Sequence, residues 1–144
     1  MNAIKMILGW GIAVVLAVAI GSVIQTQFNL AEISALGAGI GMKARMATTW
    51  HDLLSFTPLY AILVALAFAV AWPVAGWLKR WLPGHRPLLF TLAGFSAIWV
   101  MIAVMNRSLP ITAIGATREL DGTVLLAAAG AFAGWVYTRI VEDR

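Results

Sequence analysis

The side chains able to do acid–base or ligand chemistry are few, and they sit at the edges of apolar runs. His51 and Asp52 are adjacent in Thr49-Trp-His-Asp52, and a second polar group follows later as Asn106, Arg107, Arg118, Glu119 and Asp121. An imidazole titrates near neutral pH, so His51 is a candidate for proton transfer or ligation. If the connecting segments fold together, His51, Asp52, Arg107, Arg118 and Glu119 form one polar rim beside Gln25, Gln27 and Asn29. The same residues also have structural readings. Asp52 completes a T-x-x-D helix cap, His51 bonds to loop backbone, Asp121 caps the helix after it, and the rim is a solvated, mutually neutralising surface.

Several chemistries lack their residues. The chain has no cysteine, which removes disulfides, thiolate metal sites and cysteine nucleophiles. Two histidines are too few for a dedicated histidine metal cluster. Ser55 and Ser108 have no histidine-base arrangement around them in the sequence. Gly37-Ala-Gly39-Ile-Gly41 fails the dinucleotide spacing at Met42 and follows no strand pattern. No catalytic residue, metal or cofactor is therefore assigned.

The elements that position these groups follow from composition. Of 144 residues 62% are hydrophobic and 11% charged, with a mean hydropathy of +0.90. Soluble domains carry about 25% charged residues. Sixteen charged residues are too few to clothe a water-soluble globule of this size, so the apolar surplus must face lipid. The net charge of +4 is spread among loops and reads as topology; no nucleic-acid partner is expected.

Four apolar segments stand out, giving spans at about 6–28, 58–79, 87–106 and 122–141 and an external loop at about 29–57. Each approaches the roughly 20 residues that cross the hydrocarbon core as helix. Lipid offers the backbone no hydrogen-bond partner, so each span must be helical. The expected fold is an all-α integral membrane four-helix bundle with short interfacial helices in the first external loop. Lys5 before an apolar run and Ala17-Val-Ala19 have a signal-peptide flavour, but the run continues to Ile24, and the segment is expected to stay as a helix. Pro83-Gly84 breaks the chain between spans two and three, and Pro87 suits a first helical turn. Thr57-Pro58 reads as a cap and first position; the alternative starts that helix near Trp50 and kinks it at Pro58. Pro73 lies inside span two either way and frees the Ala69 carbonyl.

Orientation follows from lysine and arginine. With both termini inside, the cytoplasmic face carries Lys5, Lys79, Arg80, Arg86, Arg139 and Arg144, against Lys43, Arg45, Arg107 and Arg118 outside. Six to four has the sign of the positive-inside rule, and the purely basic link 79–86 is its strongest element. The expected setting is a bacterial inner (plasma) membrane, multi-pass, with both termini cytoplasmic. Trp10, Trp77, Trp81 and Trp135 fall near the inner boundary and Trp50 near the outer one, where indoles anchor in the headgroup zone. Trp99, mid-way along span three, needs a partner within the bundle or lines a cavity.

In the external loop, Asn29-Leu-Ala-Glu32 has capping-box form, so a short surface helix is expected to follow as far as Leu36, with Gly37 as its stop. In span four, Gly130 and Gly134 form G-x-x-x-G, a spacing that lets helices approach closely; packing within the chain is preferred to dimerisation, with Gly9, Gly11, Gly21 and Ser22 of span one as the facing residues. No Asp, Glu, Lys, Arg or His occupies the middle of any span, which excludes ion-coupled transport and voltage sensing by buried charge.

Two resemblances bear on function. In length the chain is similar to small four-helix drug exporters, but their embedded carboxylate in span one has no counterpart here. The 14-residue run from Arg45 to Pro58 resembles in outline the basic loop and proline entry of the four-helix membrane-associated eicosanoid and glutathione enzymes, yet Thr49 and Asp52 stand where that family has its Asn and Glu. Three functions are therefore expected in descending order. The first is a non-catalytic accessory, assembly or structural membrane subunit in a homo-oligomer or larger complex. The second is a binder or conduit for lipids or other apolar molecules, entered laterally between kinked span two and Trp99. The third is an enzyme at the periplasmic face.

Overall fold

The computed structural model describes residues 3–37, 39, 41–55, 57–108 and 114–141. Five α-helices and one short 3₁₀ turn (Gly115–Arg118) account for nearly all of them: α1 (Ala3–Ala35), α2 (Met42–Ser55), α3 (Thr57–Leu78), α4 (Arg86–Ser108) and α5 (Leu120–Ile140). No strand forms among the described residues. Helices α1, α3, α4 and α5 are each long and apolar enough to cross a membrane, and together they make a four-helix bundle. The apolar surface agrees with a lipid environment: Ile7, Val15, Leu66, Val70, Val100 and Val104 all point outward and are more than half exposed.

The bundle is organised around α5, the span richest in alanine and glycine. It packs against α4 and α1, while α3 closes the bundle against both of those. At one end Phe68, Trp72, Phe90 and Tyr137 interlock: Phe68 and Trp72 stack at 4.1 Å between ring centroids, and Phe90 and Tyr137 at 5.0 Å. Ala13, Ala17, Val64, Ile98 and Ala133 fill the middle. At the other end the core turns polar, with Ser22, Gln25, Thr26 and Thr117 all buried.

Three local expectations are corrected. The surface helix from Asn29 to Leu36 is not a separate element; α1 runs through it without a break to Ala35. No residue from Asn29 to Leu36 breaks the helix, and Gly37, at a left-handed φ of 88°, is the stop. Thr49-Trp-His-Asp52 is not a cap either, because Thr49 lies inside α2 and donates its hydroxyl to the Arg45 carbonyl at 2.8 Å. Asp121 falls in the first turn of α5, whose cap position is Glu119, in extended backbone with no side-chain cap bond. Thr57 and Pro58 stand at the start of α3 as described, while Phe56, where a helix start would be told from a kink, lies outside the described residues. In the α3–α4 link Gly84, with φ of 87°, takes the left-handed turn that follows Pro83.

The small residues of α5 work on α4. A Cβ on Gly130 would meet the Gly94 carbonyl oxygen, and one on Gly134 the Phe90 carbonyl oxygen; conversely, one on Gly94 would overlap Gly130. The two backbones touch where three glycines stand. The facing helix is α4 and not span one as a whole. Of the span-one residues, Gly9 meets Tyr137 and Val141, Gly21 meets the Tyr60 ring, and Gly11 faces open space.

Candidate functional site

The polar end of the bundle is built on the overhang of α1. At about 1.5 Å per residue, 33 residues reach about 50 Å, well beyond the about 30 Å of hydrocarbon. Residues 114–119, just ahead of α5, fold onto this overhang. The backbone N–H of Ala116 donates to Gln25 Oε1 at 2.9 Å in a buried bond, and Arg118 donates to Glu32 at 2.9 Å at the surface. Thr117 donates to the Ile114 carbonyl at 2.8 Å and lies 3.4 Å from the Asn106 amide. Asn29 lies against Gly115, and Gly122 against the Ala116 carbonyl, both too close for a Cβ. Thr57 reaches Ser22 at 3.4 Å and brings α3 to the same end.

The sequence-derived rim residues do not all meet here. Arg118 is held by Glu32, with side chains 59% and 44% exposed; Glu119, next in the chain, and Arg107, in the last turn of α4, are also exposed. His51 is exposed on α2, which packs on α1 and α3 and makes no substantial contact with the 3₁₀ turn or α5. The side chain of Asp52 lies outside the described residues. No group of three His, Cys, Asp or Glu suited to a metal occurs among the described residues. Gln25, counted above only as a neighbour of the rim, is its buried keystone; a glutamine just past an apolar run was the available signal.

Of the tryptophans, Trp50, Trp77, Trp81 and Trp135 are exposed, Trp77 and Trp81 meeting edge to face at 6.2 Å. Arg139 lies 4.9 Å over the Trp135 ring. Trp10 is only partly exposed and its Nε1 is buried. Trp99 stacks on Phe95 at 5.8 Å.

A second feature is apolar. A groove of about 800 Å³ runs along the outside of the bundle between α3 and α4, from Leu63 to Leu78 on one helix and Leu89 to Ser108 on the other. Trp99 is not among its lining residues. Its floor holds Ala67, Ala71, Ala93 and Ala97, and Ser96 lies mid-way along α4 within it. Ser34 and Thr91 donate to carbonyls four residues back in their own helices. Ser96 is exposed and makes no hydrogen bond among the described residues.

No protein-family model, curated protein or solved structure matches the chain.

Proposed function

We propose that the chain is a multi-pass protein of a bacterial inner membrane, both termini cytoplasmic, and that it acts as a non-catalytic accessory subunit holding a partner protein's transmembrane helix in the α3/α4 groove. One observation carries this reading: an exposed, unbonded Ser96 hydroxyl at the midpoint of a membrane span, inside a groove with a floor of small residues. Hydrocarbon cannot hydrogen-bond a hydroxyl, whereas a polar side chain on a docked helix can, at a gain of about 1 kcal/mol. Alanines on the floor let a third backbone come close enough for dispersion contact. The outer-end polar groups favour a structural part for the rim, since Gln25, Glu32, Asn106, Thr117 and Arg118 are engaged with one another or with nearby backbone and Asn29 packs against Gly115. The purely basic link 79–86 supports its placement at the cytoplasmic surface.

The natural chain has no cysteine, so Ser96→Cys introduces a unique thiol. Thiol cross-linking in native membranes should join it to a membrane protein of different sequence, and Val15→Cys, on an exposed face of α1, should give no such adduct. Ser96→Ala should lower recovery of that complex about fivefold, the worth of one interhelical hydrogen bond. Adducts consisting only of two copies of this chain, or identical patterns from both cysteine positions, overturn the proposal.

A further inference from the structure

At the end of the bundle carrying the α3–α4 link, a separate cavity of about 590 Å³ opens between α1, α3 and the first turn of α4. Its wall includes Trp10, Trp72, Lys79, Arg80, Arg86 and Tyr137. Trp72 is 6% exposed, and the Nε1 atoms of Trp72 and Trp10 are both buried without an acceptor. An indole N–H can only donate, so each such group buried without a partner costs free energy that a ligand oxygen would recover. Arg86 is fixed in place: it reaches the Thr138 carbonyl at 3.5 Å and lies 5.6 Å over the Phe90 ring. Lys79, just past α3, is held below the ordinary lysine range, first by burial and then by the neighbouring Arg86.

The wall also discriminates among anions. Ala69, Gly76 and Phe90 contribute apolar surface beside the donors, which a bare ion would leave unfilled. Pro73 has no N–H for the Ala69 carbonyl four residues earlier, and both residues line the cavity. A hydroxyl-bearing headgroup can donate to such a carbonyl; a choline headgroup has no donor. Met6 and Ile7, exposed on α1 at the mouth, offer a path for acyl chains. Basic pockets between membrane helices are a recurring way of recognising anionic lipid headgroups.

We propose that this cavity is a binding site for the phosphate headgroup of an anionic phospholipid of the phosphatidylglycerol type. The phosphate oxygens accept from the two indoles and the three cations, and the glycerol hydroxyls face the α3 wall. The site requires that the four helices cross a bilayer; it does not depend on a partner helix in the α3/α4 groove.

The test is native mass spectrometry of the full chain in mild detergent, titrated with phosphatidylglycerol or phosphatidylcholine. One phosphatidylglycerol should be retained in clear preference, and an excess of inorganic phosphate should not displace it. Lys79→Gln/Arg80→Gln/Arg86→Gln should cut its retention by about tenfold or more, since each basic residue near a lipid surface contributes of the order of a fivefold factor. Arg107→Gln/Arg118→Gln, at the opposite end, should change nothing. Trp10→Phe removes one N–H at a partly exposed position and should lower the preference even if the triple variant does not fold. Equal retention of the two lipids, retention insensitive to these variants, or occupancy by inorganic phosphate instead of lipid overturns the site. Unselective lipid binding would leave the membrane-spanning fold standing, whereas a chain that needs no detergent would remove both.

Discussion

Gly94, Gly130 and Gly134 are the positions where α4 and α5 touch through backbone, and one added carbon there has no space. Gly94→Val is expected to destabilise the bundle by about 1–3 kcal/mol, the usual cost of overpacking, read as earlier thermal unfolding in detergent. Gly11→Ala, where nothing lies within 4 Å, should be neutral or slightly stabilising because alanine favours helix. The G-x-x-x-G pair is visible in the chain by its spacing. Its partner is not, because a lone glycine between Leu88 and Met105 carries no mark of what it will face. Gln25 is the polar counterpart of this seam. Gln25→Leu leaves the buried Ala116 N–H without its acceptor and should cost about 1–3 kcal/mol, with faster hydrogen exchange at Ala116.

Among the elements, α1 does the most to set the polar end, since its last three turns form the post on which residues 114–119 rest. That docking is held mainly by the buried Gln25 bond and the close approaches at Gly115 and Gly122, not by the surface ion pair. Accordingly Glu32→Gln should lower stability by less than about 1 kcal/mol, because solvent screens an exposed pair; a thermal shift as large as that of Gln25→Leu would contradict this ordering. The length of α1 was the least legible element. Asn29 and Glu32 have the types and spacing of a cap, yet a capping box starts a helix only where the preceding chain has left one, and no residue ahead of Gly37 makes it leave. Thr49 and Asp52 misled for the same reason inside α2. By contrast Gly37 stops α1 through backbone geometry, and Pro83-Gly84 turns the link between α3 and α4, so those breaks could be read directly.

For the molecule as a whole, the four apolar helices were the plainest feature of the chain. Lipid leaves the backbone one local solution, and about 20 residues set its length, so no tertiary information is needed to find them. Which faces meet is a tertiary matter. The rim residues therefore split, with His51 on α2 and Arg118 and Glu119 on the far segment, and the α1–α3 cavity could not be seen from spacing. The account stands on the bundle's outer face being solvated by acyl chains, with the 79–86 link inside and the α1–α2 segment outside. The most direct measurement is labelling of single cysteines at Val15, Gly39, His85 and Phe132 with a membrane-impermeant thiol reagent in intact and permeabilised cells. Gly39→Cys should label in intact cells, His85→Cys only after permeabilisation, and Val15→Cys and Phe132→Cys, on exposed faces away from the α3/α4 groove, in neither. Labelling of Val15→Cys and Phe132→Cys as readily as Gly39→Cys would mean that water, not lipid, covers these helices.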